Sequence, residues 1–443
     1  MTRSHASEPR DFTAKGLATR ERIVRAAADV LLQDGVAGFN VDKVRQAAAV
    51  SGSQITHYFT DRRDLLCAVV RRQADAVLDF HRQPELRALD TFEDWERWAD
   101  LNVGHLHTTG FRGAVTYHGL AGRLAKSDKV IKDTLAQGYW RWISLLEDSI
   151  ARMKSRRLVV DSVDPHRLAM AVVSLHQGAG MLAFAFREEW PMVGVTRAVV
   201  NHLRSFAADP ADRKPRVAGA SARRRPRVPH DQSAPAFTAK GKATRQRIVE
   251  GAAELILERG VHGTSLEDVR RAVGVSGSQL SHYFADKDDL TRQVVIARTH
   301  DVVSFHTQPG LGRLDDMKSL RAWAELCWSH SGAAYLRNGC VYGALAGELL
   351  EAPDDVLDDV AGGYDRWIDL FHQGLSAMRD RGSFGSDADP GHLATCLVAA
   401  HQGGALLAYI TGVGSPYHAA VDAALDYVAE FEVSQRASRS KHT

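Results

Sequence analysis

Val50-Ser51-Gly52-Ser53-Gln54-Ile55-Thr56-His57-Tyr58-Phe59 returns 225 residues later as Val275-Ser276-Gly277-Ser278-Gln279-Leu280-Ser281-His282-Tyr283-Phe284, with eight of ten residues unchanged. Upstream, the stretch from Phe12 to Val24 returns as Phe237 to Val249 with eleven of thirteen unchanged. The same offset pairs Trp98 with Trp323, Trp142 with Trp367, and His176-Gln177-Gly178 with His401-Gln402-Gly403. An offset that holds this far leaves room for almost no net insertion or deletion, so one domain plan is present twice. The period is far beyond the roughly 20–50 residues of solenoid repeats, and each copy is therefore expected to bury its own core.

The 443 residues carry a formal net charge of +2, which hides an uneven distribution. Residues 1–72 and 237–298, which hold the repeated motif, sum to +4 and +2, and residues 207–236 to +4. The remaining bodies differ: +1 for residues 73–206 and −9 for residues 299–443. Basic motif ends on a chain of neutral or acidic bulk suit contact with phosphate. The four cysteines, Cys67, Cys327, Cys340 and Cys396, are scattered, without metal-site spacing or a disulfide framework, and neither metal nor cofactor is expected. Met1 to Gly16 lacks the apolar core of a signal sequence. The most membrane-like stretch, Leu168 to Phe186, is interrupted by His176 and Gln177 and reads better as a buried bundle helix. A cytoplasmic protein without membrane association is expected.

Strand signals are nearly absent, and the fold class is all-α. Ile23, Ala27, Val30 and Leu31 recur at helical spacing, answered by Ile248, Ala252, Leu255 and Ile256. Gly35 and Gly260 stop those helices, and Asn40 and Ser265 start short second helices, roughly 41–48 and 266–273. A Val-Ser-Gly turn then leads into a third short helix, which completes a helix-turn-helix head. Longer helices follow over about 65–80, 95–106, 139–153 and 165–186, with Asp164-Pro165 and Asp389-Pro390 as helix starts. The expected organisation is a tail (1–16), a first head (17–63) and a first helical body (64–206). A basic linker with five of the thirteen prolines follows (207–236), then a second head (237–288), a second body (289–433) and a tail (434–443).

In each head, Val50, Ile55 and Phe59 fall where the third helix packs inward. Gly52, Ser53, Gln54, Thr56, His57 and Tyr58 face outward, where the N-terminal part of a helix meets base edges in a major groove. Arg62 and Tyr58 suit phosphate contacts. The counterparts are Gly277, Ser278, Gln279, Ser281, His282, Tyr283 and Lys287. Two alternatives stand beside this reading. Ser51-x-x-Gln54 and Ser276-x-x-Gln279 also fit capping boxes, and Tyr58 also fits a partly buried packing position.

These features, with Thr19-Arg20-x-x-Ile23, the Gly-Val-x-Gly segment at 35–38 and the Asp-Arg/Lys-x-Asp-Leu that follows the motif, resemble the TetR family of transcriptional repressors. The resemblance implies a three-helix DNA-binding head joined by a connecting helix to a larger domain. That domain would bind a small effector, and its last two helices would form a four-helix dimerisation bundle. Thr56 and Ser281 depart from the pattern, since many members have tyrosine there. Asp42 and Glu267 place acids where some members carry a cation.

Candidates for the effector site are Trp98, His105, Tyr139, Trp142 and His176, repeated as Trp323, His330, Tyr364, Trp367 and His401. Aromatics at this spacing also serve as plain core, and His176 and His401 also suit hydrogen bonds across an internal two-fold. The expected function is a sequence-specific regulator, a repressor released by a small molecule, that binds a near-palindromic double-stranded operator with both heads of one chain. The two copies would form an intramolecular pseudo-dimer, with a further chain-to-chain dimer as an open alternative. No enzymatic constellation repeats. The competing class is a ligand-binding or scaffold protein of the same fold that does not regulate transcription.

Overall fold

A computed structural model describes residues 12–111, 116–126, 128–213 and 237–433. The tail before residue 12, the stretch 214–236 and the tail after 433 lie outside the described residues. The first copy runs α1 (Ala14–Gly38), α2 (Val41–Ala47), α3 (Gly52–Tyr58), α4 (Arg62–His81), α5 (Phe92–Thr108), α6 (Tyr117–Leu124), α7 (Lys129–Ser155), α8 (Pro165–Phe186) and α9 (Trp190–Ser205). The second repeats the order as α10 (Ala239–Arg259), α11 (Leu266–Val273), α12 (Gly277–Tyr283), α13 (Lys287–His306), α14 (Met317–Asn338), α15 (Val341–Glu348), α16 (Asp354–Asp380), α17 (Pro390–Thr411) and α18 (Ser415–Ala429). The periodicity missed α6, α9 and their counterparts.

Helix boundaries follow the local chemistry. Thr13 and Thr238 cap the first helix of each head, Asp61 and Asp286 cap the connecting helices, and Asp164 and Asp389 cap α8 and α17 with proline just inside. Gly35 (φ 66°) kinks α1 before its last residues, where the sequence predicts its end, and Gly260 (φ 79°) ends α10, both at positive φ, where a side chain is disfavoured. Residues 207–213, expected to begin the linker, instead pack on the first body. Ala207 bridges Val159, and Arg213 Nε donates to the Ala207 carbonyl at 2.8 Å.

The copies are joined by α8 and α9 packed against α17 and α18. Both α8 and α17 are long and apolar enough to cross a membrane, yet 94% and 100% of their apolar windows are buried inside the protein. Their crossing is set by glycine. A Cβ on Gly178 would lie 1.9 Å from the Ala399 carbonyl oxygen, and one on Gly403 would lie 1.7 Å from that of Ser174. The two backbones touch where the His-Gln-Gly motif places its third residue.

Among the described residues, the ion pairs between the copies share one polarity. Lys126 meets Glu348 at 2.9 Å, Arg187 meets Asp354 at 2.8 Å, Arg167 pairs with Asp422, and His202 Nδ1 lies 3.3 Å from Glu430. In each, the basic group belongs to the first copy and the acid to the second. The Lys126–Glu348 pair is nearly buried, and Glu348 also accepts from the Val261 N–H at 2.6 Å, which ties the body junction to the second head.

Candidate DNA-reading face and ligand cavity

In both heads the third helix sits on a buried apolar base, Ile55 and Phe59 in the first and Leu280 and Phe284 in the second. Gly52, Ser53, Gln54, Thr56 and His57 are exposed together on its outer side, as are Gly277, Ser278, Gln279, Ser281 and His282. A Cβ on Gly52 or Gly277 would meet nothing within 4 Å, so internal packing does not require glycine at either position and both are open to the outside. The capping alternative is realised. Gln54 Oε1 accepts from the Ser51 N–H at 2.8 Å and Gln279 Oε1 from the Ser276 N–H at 3.0 Å, each within a complete capping box.

Thr56 Oγ1 and Ser281 Oγ both donate back to carbonyls of their own helix, Gly52 at 3.3 Å and Gly277 at 3.0 Å. Tyr58 is half-buried with its ring 5.0 Å from Phe12, and Tyr283 sits likewise 5.2 Å from Phe237. Each tyrosine thus clamps the start of its head as well as flanking the outer face. Arg62 is exposed with its guanidinium 5.5 Å from the Phe39 ring centre, whereas Lys287 is half-buried and its pKa is lowered by that burial. The acids Asp42 and Glu267 pair with Arg45 and Arg270 one turn on, so they serve their own helices. The heads touch each other: a Cβ on Gly35 would lie 3.3 Å from the His262 ring.

The connecting helices end on histidines that the sequence reading passed over. His81 donates from Nδ1 to the Val77 carbonyl (2.7 Å), while its Nε2 accepts from both Trp98 Nε1 and Trp142 Nε1, each at 3.1 Å. Two indole N–H donors converging on one nitrogen require that nitrogen to be unprotonated. Burial pushes the His81 pKa down to about 4, in keeping with that neutral tautomer. His306 repeats the arrangement with Val302, Trp323 (3.0 Å) and Trp367 (2.9 Å), its pKa likewise lowered to about 4. The signal was present, since His81 and His306 also stand 225 apart.

Around these histidines the copies diverge. The first body holds a cavity of about 160 Å³, and of the expected residues His105, Trp142 and His176 line it. Trp98 and Tyr139 are fully buried behind it, Tyr139 donating to Gln177 Oε1 at 3.0 Å. His176 Nε2 pairs with Asn102 Oδ1 at 2.7 Å within its own copy, and His401 Nε2 with Tyr335 Oη at 2.9 Å within the other. The expectation of histidine bonds across the two-fold is therefore corrected. The glycine crossing brings backbones together there and leaves the imidazoles facing each body's interior. Trp323, Tyr364 and Trp367 are buried core, and His330 is exposed beside Phe305, with ring centres 5.8 Å apart.

Residues 248–294 match the family described as bacterial regulatory proteins of the TetR family, and residues 317–424 match the tetracyclin repressor-like C-terminal domain. Both matches fall in the second copy, to which the first is tied by the 225 offset. The chain is 25% identical over 169 residues to the HTH-type transcriptional repressor DhaR of Mycobacterium sp. (strain GP1), which covers 37% of this chain and 80% of that protein. It is 24% identical over 174 residues to the transcriptional regulator AcuR of Cereibacter sphaeroides, covering 39% and 80%. Among solved structures, a TetR-family regulator from Cytophaga hutchinsonii aligns with a TM-score of 0.40 at 19% identity, over 44% of this chain and 98% of that one. Reduced NemR of E. coli aligns with a TM-score of 0.37 at 22% identity, over 43% and 97%.

Proposed function

We propose, on the premise that the chain belongs to the TetR family of bacterial regulators through the two domains at residues 248–424, that it is a single-chain repressor. Its two heads read one near-palindromic operator, and a small molecule in the body releases it. The observation that carries this reading is the pair of exposed, nearly identical third-helix faces on one polypeptide whose bodies are locked by α8, α9, α17 and α18. A two-fold DNA site needs two such faces at fixed spacing, commonly about one helical turn apart. The pseudo-dimer supplies both from one chain, in the cytoplasm, without requiring a second.

Ser53, Thr56 and His57, with Ser278, Ser281 and His282, form the base-facing set. Gln54 and Gln279 hold the helix start in shape, while Tyr58, Arg62, Tyr283 and Lys287 flank it for phosphate. Release follows from the path of α4. Val77, Phe80 and His81 in its last turns line the cavity, while Arg62 in its first turn borders the head. A ligand that moves the last turns moves the head and couples the two sites.

Selection of bound fragments from random DNA, followed by gel shifts at several salt concentrations, tests the proposal. The expected result is one sequence with two similar half-sites, bound by one chain, with affinity falling steeply as salt rises. Two unrelated half-sites, or binding indifferent to sequence, would sink it and favour a scaffold of the same fold.

A further inference from the structure

Around the matching histidine of the second copy, aromatic side chains crowd the ring whose counterpart faces the cavity in the first. Three positions account for this. Val103, Gly110 and Met192 of the first copy become Trp328, Tyr335 and Tyr417 at the 225 offset. In the first copy α5 ends at Thr108 and Gly110 turns the chain at φ 58°. In the second, α14 runs on to Asn338 and carries Tyr335 inward, where it is 7% exposed and its hydroxyl meets His401 Nε2 at 2.9 Å. Tyr417, 1% exposed, closes the rest. Its ring centre lies 5.6 Å from His401, 5.4 Å from Tyr335 and 5.3 Å from Trp328. At these separations the aromatic edges are in contact.

The first copy's cavity also has a definite chemistry. Phe80, Phe184, Trp142 and Met192 supply apolar walls, with Asn102 and His176 at a polar edge. Among the described residues that line it there is no Asp, Glu, Lys or Arg. A closed cavity of about 150 Å³ takes benzene, so this one fits a single ring with a small substituent. A charged ligand would find no opposite formal charge among the described lining residues.

We infer that the chain binds one small uncharged aromatic molecule, bearing a hydroxyl- or amide-sized polar group, in its first copy only, the second copy's site being plugged by its own Tyr335 and Tyr417. This deepens the effector reading above and rests on it only for what binding does to DNA. One body senses and the other is a filled partner that transmits.

Calorimetric titration of phenol into the full chain tests the inference, with circular dichroism confirming that each variant is folded. Wild-type protein is expected to take one phenol, and Met192→Tyr, which installs the residue the second copy already carries, none. The double variant Tyr335→Gly with Tyr417→Met should take two. Benzoate, the same ring with a charge, should bind about tenfold or more weakly than phenol. Two phenol sites in wild-type protein, phenol binding untouched by Met192→Tyr, equal affinity for benzoate, or no saturable phenol binding would overturn it. If the double variant does not fold, Met192→Tyr and benzoate still decide. Gel shifts in saturating phenol keep the two readings apart: one bound phenol with unchanged DNA affinity upholds the single site and removes the release mechanism.

Discussion

At the residue scale, the reading helix is shaped by what its polar side chains do to their own backbone. Gln54 spends its amide oxygen on the Ser51 N–H, so Ser51→Ala and Gln54→Ala should each lower stability by about 1 kcal/mol. Thermal melts would measure that loss, and selected-DNA profiles should show the preferred sequence unchanged for Gln54→Ala. A shifted base preference would restore glutamine as a reader. Thr56 turns its hydroxyl back onto the helix, which leaves its methyl for an apolar contact such as the thymine methyl, and Ser281 has no methyl to offer. Ser281→Thr should therefore equalise the two half-sites at one thymine position, by about 1 kcal/mol or less, as read by gel shift on symmetrised operators.

The buried histidines set a pH response. With His81 and His306 lowered to about 4 in the folded protein against an ordinary value near 6.5, the unfolded chain binds more protons between those limits. Stability then falls as pH drops from about 6.5 toward 4, by roughly 3 kcal/mol per histidine at full extent. His401, fully buried and lowered to about 3, adds to the same slope. Denaturant melts across this window should show it, and His306→Gln, which keeps an acceptor without the titration, should make the slope shallower by about one histidine's share.

At the element scale, α8 and α17 meet backbone to backbone at Gly178 and Gly403. A methyl group at either would overlap a carbonyl oxygen of the partner helix, so Gly178→Ala or Gly403→Ala should cost about 1–3 kcal/mol or more as the helices part. Calorimetric melting would register the loss, and a drop in DNA affinity should accompany it because head spacing depends on this crossing. By contrast α5 and α14 show how one element can diverge without disturbing its neighbours. Both start at the same relative position, and the turn at Gly110 ends α5 where α14 runs on and carries Tyr335 inward, one of the changes that separate an open body from a filled one.

At the scale of the whole molecule, the unequal body charges find their use in the interface. At the 225 offset Glu348, Asp422 and Asp354 are replaced by Arg123, Arg197 and Lys129. Pairing of two first copies would set Lys126 against Arg123, Arg167 against Arg197 and Arg187 against Lys129, while two second copies would set Glu351 against Glu348. The exposed pairs contribute little individually, but like charges in their place penalise the wrong partner. A protease site placed within residues 214–236 should yield, after cleavage, halves that stay together as one-to-one pairs in native mass spectrometry. A mixture of self-paired halves would contradict this. Removing one side of the nearly buried pair, as in Glu348→Gln, leaves Lys126 uncompensated and should cost about 3–5 kcal/mol.

The duplication, the helical class, the two heads with their outward residues, and the capping boxes are legible in the chain alone, because each is written in local spacing that survives any arrangement in space. The chain alone also holds the charge asymmetry, though not its purpose. Which aromatic residues line a cavity and which fill one emerges only from packing in three dimensions. Trp142 and Trp367 occupy matching positions, and their surroundings differ through Gly110 against Tyr335 and Met192 against Tyr417, residues from separate helices. The function of a buried side chain depends on the volume its neighbours leave, and that volume is fixed by packing between elements distant in the chain.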